Sequence, residues 1–398
     1  MHGDKRLFED DFEHHELVHK GSESDDDDDF HPPIGKCFCC RCRSSWCTRE
    51  VEATLRCLSW ISGLIWYCAG AYRGGKFRRR VYSDIISPIL QWSVVNPPHI
   101  DGVKIKISEH VPPGEVSTLV FEREDALASK KPIFLFVHGG GFCIGDPKEK
   151  FFFDFCKYLA LQGFLVVSPA YRLAPENPFP ASVEDCFDVL HFISGTDDLL
   201  ANGDKSKVIL GGDSAGANLA LVLATLFRDK LNAQLDSEDL SAQIDIKYLV
   251  LMYPTMMLPY PTKSAIEHSD AVLLPHWLNR FFLESYLPDE EKRQSILEND
   301  RRVCPLHAGL SNLPKVTILS SSHDPFRDEC KLLYKELVAQ GNVVKHRHYE
   351  NVPHGFGTVS SISRKTQEEI CEDVRCAIGC PPVTQSQIVE PLDMKKDL

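Results

Sequence analysis

The sequence predicts an α/β fold, with a mostly parallel sheet covered by helices on both faces. Three observations carry that expectation. From residue 133 onward, short aliphatic runs alternate with longer stretches of helical pattern. Hydrophobic residues make up 43% of a 398-residue chain, enough for a sizeable core. A glycine-flanked serine, Gly212-Asp213-Ser214-Ala215-Gly216, stands between a strand-like run, 207–210, and an Ala- and Leu-rich run, 218–227.

The elements follow in order. Residues 103–121 read as a hairpin: 103–107 alternates, Pro112-Pro113-Gly114 turns, and 116–121 returns. Strands are expected at 133–137, 164–168, 207–210, 246–252, 316–320 and 343–349. Helices are expected near 150–162, 181–194, 218–227, 327–340 and 363–377. Residues 255–312 break the alternation, with prolines, Trp277, Phe281, Phe282 and Tyr286 but no strand pattern. That is too long for a loop in a compact domain. It reads as a helical insertion over the strand ends, where open α/β sheets bind ligands. The core is expected to comprise 101–254 and 313–380, followed by a C-terminal tail at 381–398.

The N-terminal region differs in kind. Residues 1–30 hold twelve acidic residues against three Lys or Arg, a large share of the formal net charge of −13. Residues 1–35 are expected to be a disordered acidic tail, because they lack the apolar surface to offset ordering entropy. No basic surface points to nucleic acid. Seven of the fifteen cysteines precede residue 70, and the rest are scattered through apolar segments, as reduced core cysteines are. With no cleavable signal peptide at the start, a cytoplasmic location is expected, with membrane association open. The cysteines between Cys37 and Cys47 are too tightly spaced for paired zinc ligands. They read as a plain solvent-facing thiol cluster, with palmitoylation and peripheral membrane contact beside a hydrophobic segment as the alternative. Residues 57–72 are sixteen mostly apolar residues with a basic flank, shorter than a membrane span. They are expected to contribute to a cap over the core, with peripheral membrane contact as the competing reading.

Chemistry is concentrated in the motifs. A strand turning sharply into a helix at G-x-S-x-G is a nucleophile elbow, and it presents Ser214 at the positive end of the helix. His138-Gly139-Gly140-Gly141-Phe142 follows the 133–137 strand. Its glycines allow backbone N–H groups to converge on one point, as a tetrahedral oxyanion requires. The expected donors are Gly140 and Gly141, joined by Ala215 after the serine. A serine needs a base, and the base needs an orienting acid. His354, on a Gly/Pro loop after the last strand, is the candidate base, and His346 and His348 read as ordinary strand residues. Asp324, just past the 316–320 strand, is preferred as the acid over Asp328, which falls inside the next helix.

This set of motifs resembles the hormone-sensitive-lipase-like (GDXG) family of α/β-hydrolases. HGGGF, Tyr171-Arg172-Leu173-Ala174-Pro175-Glu176, GDSAG, Asp324-Pro325-Phe326-Arg327-Asp328 and HGF occur in that family's order over about residues 100–378. The resemblance implies a serine carboxylesterase acting on short-to-medium acyl esters, with an α/β-hydrolase fold and a helical cap built from an N-terminal segment and 255–312. It implies Ser214 as nucleophile, His354 as base, Asp324 as orienter and Gly140, Gly141 and Ala215 as oxyanion donors, with no metal or organic cofactor. The expected partner is a small-molecule ester, and oligomeric state is left open. Two other readings share the fold: a non-catalytic ligand-binding receptor, and an amide or acylamine deacetylase. Receptor-type members lose the catalytic histidine, whereas this chain has His354. Ala217 replaces a common glycine, and the first ninety residues match no part of the pattern.

Overall fold

The computed structural model describes residues 104–111, 115–124, 130–195, 200–233, 244–271, 273–359 and 362–380. The expectations for 1–35, the Cys37-to-Cys47 cluster, 57–72 and 381–398 lie outside these residues. Eight strands form one sheet: β1 (Lys104–His110), β2 (Thr118–Glu124), β3 (Lys131–Val137), β4 (Leu165–Pro169), β5 (Gly203–Asp213), β6 (Ile246–Met252), β7 (Lys315–His323) and β8 (Val344–Pro353). Their spatial order is β1-β2-β4-β3-β5-β6-β7-β8. The β1–β2 and β2–β4 pairs are antiparallel, and the pairs from β4 through β8 are parallel.

Parallel strands need crossovers, and the helices supply them. These are α1 (Lys150–Leu161), α2 (Ala181–Gly195), α3 (Ala215–Ala233), α4 (Lys263–Glu267), α5 (His276–Tyr286), α6 (Glu290–Asn299), α7 (Arg327–Ala339), α8 (Phe356–Val359) and α9 (Ile362–Ile378), with a 3₁₀ turn at Pro305–Ala308. Side chains alternate across β3. Ile133, Leu135 and Val137 join the core under α2, α3 and α7, while Phe134 and Phe136 join the core under α1 and α9. Burial on both faces explains why the central strands read as unbroken apolar runs. Each fully buried aliphatic or Phe side chain contributes about 1.5–3 kcal/mol of transfer free energy.

The strand expected at 207–210 runs longer, because β5 lies between β3 and β6 and pairs with both. Its register sets Gly212 beside Val137 and Asp213 beside Met252. The ends of β3, β5 and β6 therefore bring His138, Ser214 and Tyr253 to one edge of the sheet. The stretch 255–312 holds α4, α5, α6 and the 3₁₀ turn, with no strand among its described residues. Among the described residues, no helix is long and apolar enough to cross a membrane.

Candidate active site

Ser214 sits at the junction of β5 and α3 with φ of 52°, a left-handed conformation that costs a non-glycine residue on the order of 1–3 kcal/mol. Its N–H donates to the Met252 carbonyl at 2.8 Å, which helps hold the turn. The second glycine of the motif has a steric cause. A Cβ on Gly216 would lie 2.1 Å from the Val137 carbonyl oxygen and 2.5 Å from that of His138. The first turn of α3 thus rests directly on the end of β3, and only glycine permits that approach.

His354 Nε2 is 2.9 Å from Ser214 Oγ, and His354 Nδ1 is 2.9 Å from Asp324 Oδ2. Asp324 is fully buried, and its other oxygen accepts the Phe326 N–H at 2.8 Å. An Nδ1–H donated to that carboxylate leaves the Nε2 lone pair facing the serine hydroxyl. Tyr253 and Phe326 flank the imidazole edge-to-face, with centroids at 4.9 and 5.2 Å. Asp328 faces elsewhere: it pairs with Arg327 and accepts the Ser264 N–H at 2.8 Å, fastening α4. His346 and His348 both hydrogen-bond Ser320 Oγ, at 2.7 and 2.8 Å, away from this group.

The glycine loop is braced from two sides. His138 Nδ1 is 2.8 Å from the Gly139 carbonyl, and its ring stacks on Tyr171 at 4.3 Å. Tyr171 Oη donates to the His138 carbonyl at 2.9 Å, so the YRLAPE stretch steadies the loop. Burial pulls the His138 pKa down to about 4, which keeps the ring neutral. The Gly139 N–H donates to Asp213 Oδ1 at 2.7 Å, tying the loop to the elbow. Burial pushes the Asp213 carboxyl up to about 7, although this hydrogen bond favours the ionised form. Gly140 and Gly141 take φ of 115° and 58°. Among the described residues, the N–H groups of Gly140, Gly141 and Ala215 have no partner within the chain. The arrangement therefore joins an activated hydroxyl to three unspent donors, as acyl transfer requires.

Residues 134–358 match the model of a family described as alpha/beta hydrolase fold. The chain belongs to the hormone-sensitive-lipase-like α/β hydrolases. This α/β hydrolase is 31% identical over 230 residues to the carboxylesterase NlhH of Mycobacterium tuberculosis, covering 56% of its own length. The match spans 66% of NlhH, just under two thirds. It is 26% identical over 288 residues to the arylacetamide deacetylase of Mus musculus, covering 58% of this chain and 70% of that one. Among solved structures, it resembles the hyperthermophilic esterase of Pyrobaculum calidifontis, with a TM-score of 0.64 and 29% identity. That likeness covers 76% of this chain and 93% of the other.

In this hydrolase a cavity of about 20 Å³ opens on Ser214, bounded among others by Gly141, Thr255, Asn279, Phe282 and Phe326. Helix α5 is pressed onto the glycine loop. The Phe282 ring occupies the space a Cβ on Gly141 would take, with Cδ2 only 2.2 Å from that position. Phe142 stacks on Tyr286 at 4.0 Å and 7°. A larger hollow of about 600 Å³, bounded by Lys205, Arg228, Ile246 and Pro314 among others, lies by the starts of β5, β6 and β7. It touches none of these groups and sits opposite the strand ends where such sheets bind ligands.

Sequence reasoning missed Glu329. Its buried carboxyl accepts hydrogen bonds at Oε2 from the Met256 N–H and from Thr255 Oγ1, the latter at 3.4 Å. It thereby holds the segment after β6 against the site. Burial first, and then the nearby Asp324 charge, push its pKa up to about 8. The one sequence signal was an acidic residue on a helix position otherwise spaced for burial, since Glu329 shares the inward face of α7 with Leu333 and Leu337.

Proposed function

We propose that this hydrolase cleaves carboxylic esters of short-to-medium acyl chains through an acyl-enzyme intermediate. One observation carries the reading: the continuous chain Asp324–His354–Ser214, with both contacts at 2.9 Å, beside three unspent N–H donors. Ser214 Oγ attacks the ester carbonyl carbon while its proton passes to His354 Nε2. Asp324 accepts the Nδ1–H and stabilises the imidazolium. The carbonyl oxygen becomes an oxyanion that accepts hydrogen bonds from the Gly140, Gly141 and Ala215 N–H groups. The carbon–oxygen bond to the alcohol then breaks, and His354 returns its proton to the departing oxygen. Water, deprotonated by His354, attacks the acyl-serine and releases the acid and the free hydroxyl.

The names of the relatives support the same reaction class. The presence of His354 weighs against a purely ligand-binding role. Amide hydrolysis is the second reading, motivated by the relative named arylacetamide deacetylase. The same residues would serve, with His354 protonating a departing amine. In both readings 255–312 is a helical cap over Ser214, a role supported by Asn279 and Phe282 at the cavity. The reading gives 57–72 the other half of the cap. Its removal should then lower activity and alter chain-length preference. Unchanged kinetics with loss of membrane partitioning would favour an anchor.

The test is Ser214→Ala assayed on p-nitrophenyl acetate and on acetanilide. Turnover should disappear from the variant, and a fluorophosphonate should label Ser214 of the native protein. Full activity in Ser214→Ala would refute the proposal.

A further inference from the structure

The pocket beside Ser214 contains one residue that its surroundings do not explain. Asn279, Phe282, Leu283 and Tyr286 lie at helical spacings of three, four and seven on α5. They form a stripe facing the glycine loop and the cavity. Phe282 and Tyr286 are buried at 7% and 1% exposure. An asparagine on such a stripe gives up apolar burial, and its half-buried amide is costly unless hydrogen-bonded. Among the described residues, the Asn279 side chain bonds to no other group of the chain. The other polar side chains in the pocket are engaged. Thr255 Oγ1 donates to Glu329 and accepts the Met257 N–H at 3.2 Å, and Ser214 is held by His354.

The walls also indicate which half of a substrate enters. His354 is absent from them. A departing alcohol must sit beside His354 Nε2 to receive its proton, so the pocket lies on the acyl side. Its small volume, about 20 Å³, suits a short acyl group. An apolar pocket with a single uncommitted polar side chain, set apart from the backbone N–H of Gly141, is the usual device for fixing a ligand's orientation.

We infer that Asn279 is a specificity-determining residue that selects short acyl groups carrying an oxygen on their α-carbon over plain alkyl acyl groups. The inference deepens the ester-hydrolase reading and rests on it. The Asn279 amide donates to that oxygen, while Phe282 and Phe326 exclude longer chains.

The experiment compares kcat/KM for p-nitrophenyl methoxyacetate and p-nitrophenyl butyrate, acyl groups of equal heavy-atom count. Each is measured on the native protein, Asn279→Leu and Asn279→Ala. Intrinsic ester reactivity cancels when the same two esters are compared across the three proteins. The methoxyacetate-to-butyrate ratio should fall about threefold to tenfold in both variants, the range expected for one neutral hydrogen bond. Circular dichroism confirms that each variant is folded at the assay temperature. An unchanged ratio in Asn279→Leu overturns the inference, because that variant removes the amide and keeps its branching and number of heavy atoms. A fall in Asn279→Ala alone overturns it too, by making the effect one of space. Failure of the underlying reading is seen separately, as p-nitrophenyl acetate turnover that persists in Ser214→Ala.

Discussion

Asp324 and Asp328 are four residues apart, yet they serve unrelated ends. Asp324 is sealed from solvent and meets His354, whereas Asp328 is part-exposed and holds Arg327 and the Ser264 N–H. Asp324→Asn should lower kcat about 10⁴-fold by disturbing the histidine tautomer. Asp328→Asn should cost less than about tenfold, and steady-state kinetics on one ester ranks the two. Glu329 supplies a pH test. The native carboxyl keeps its proton to about pH 8, whereas the unfolded chain releases it near the ordinary 4.5. Between these values the native state binds the extra proton. Its contribution to stability is complete below about 4.5 and is lost as the pH rises through about 8. Glu329→Gln should flatten the decline in melting temperature across that window, and an unchanged slope would count against this account. These residues were unevenly legible in the sequence. Ser214, His354 and Asp324 stood in short motifs at strand ends, and they meet in space. Glu329 and Asn279 were hidden, because their significance depends on Met256 and Ser214, partners that only the tertiary fold brings near.

Among the elements, α5 bears most directly on selectivity. Phe282 fills the space above Gly141, so its side chain both supports the glycine loop and narrows the cavity beside Ser214. Phe282→Ala should destabilise the fold by about 3–5 kcal/mol, as deletion of a buried phenylalanine does. It should also raise the hexanoate-to-acetate ratio of kcat/KM, and thermal melts with a chain-length series read both effects. The sheet was legible for a simple reason: strands buried on both faces must be apolar throughout, and such runs stand out. Their ends were less so. β5 extends to Gly203 through polar residues: Gly203 and Asp204 pair with Lys131 and Pro132, and Lys205 and Ser206 fall in a register shift before the apolar run resumes its pairing at Val208. The short α4 carries no strong periodic signal. It is held instead by Thr262, whose hydroxyl accepts the Ala265 N–H, and by contacts with α7.

Across the described molecule the insertion meets the core at several places, and one of them lies beside Asp324. Ser264 of α4 donates its hydroxyl to the Pro325 carbonyl at 2.7 Å, and Arg327 pairs with Glu267 at 2.8 Å. Both contacts fall just after Asp324, at the turn that follows β7 and the first residue of α7. The mounting of the acid is therefore shared between segments some sixty residues apart in the chain. Recombination among relatives would meet this as a constraint on inheritance. A crossover that imported a foreign stretch for 255–312 would bring new substrate preferences while severing the acid from half of its mounting. Hybrids that also inherit 324–328 from the donor should keep their turnover, and those that mix the two parents at this junction should lose it. The expected outcome is that selectivity and turnover transfer together or not at all.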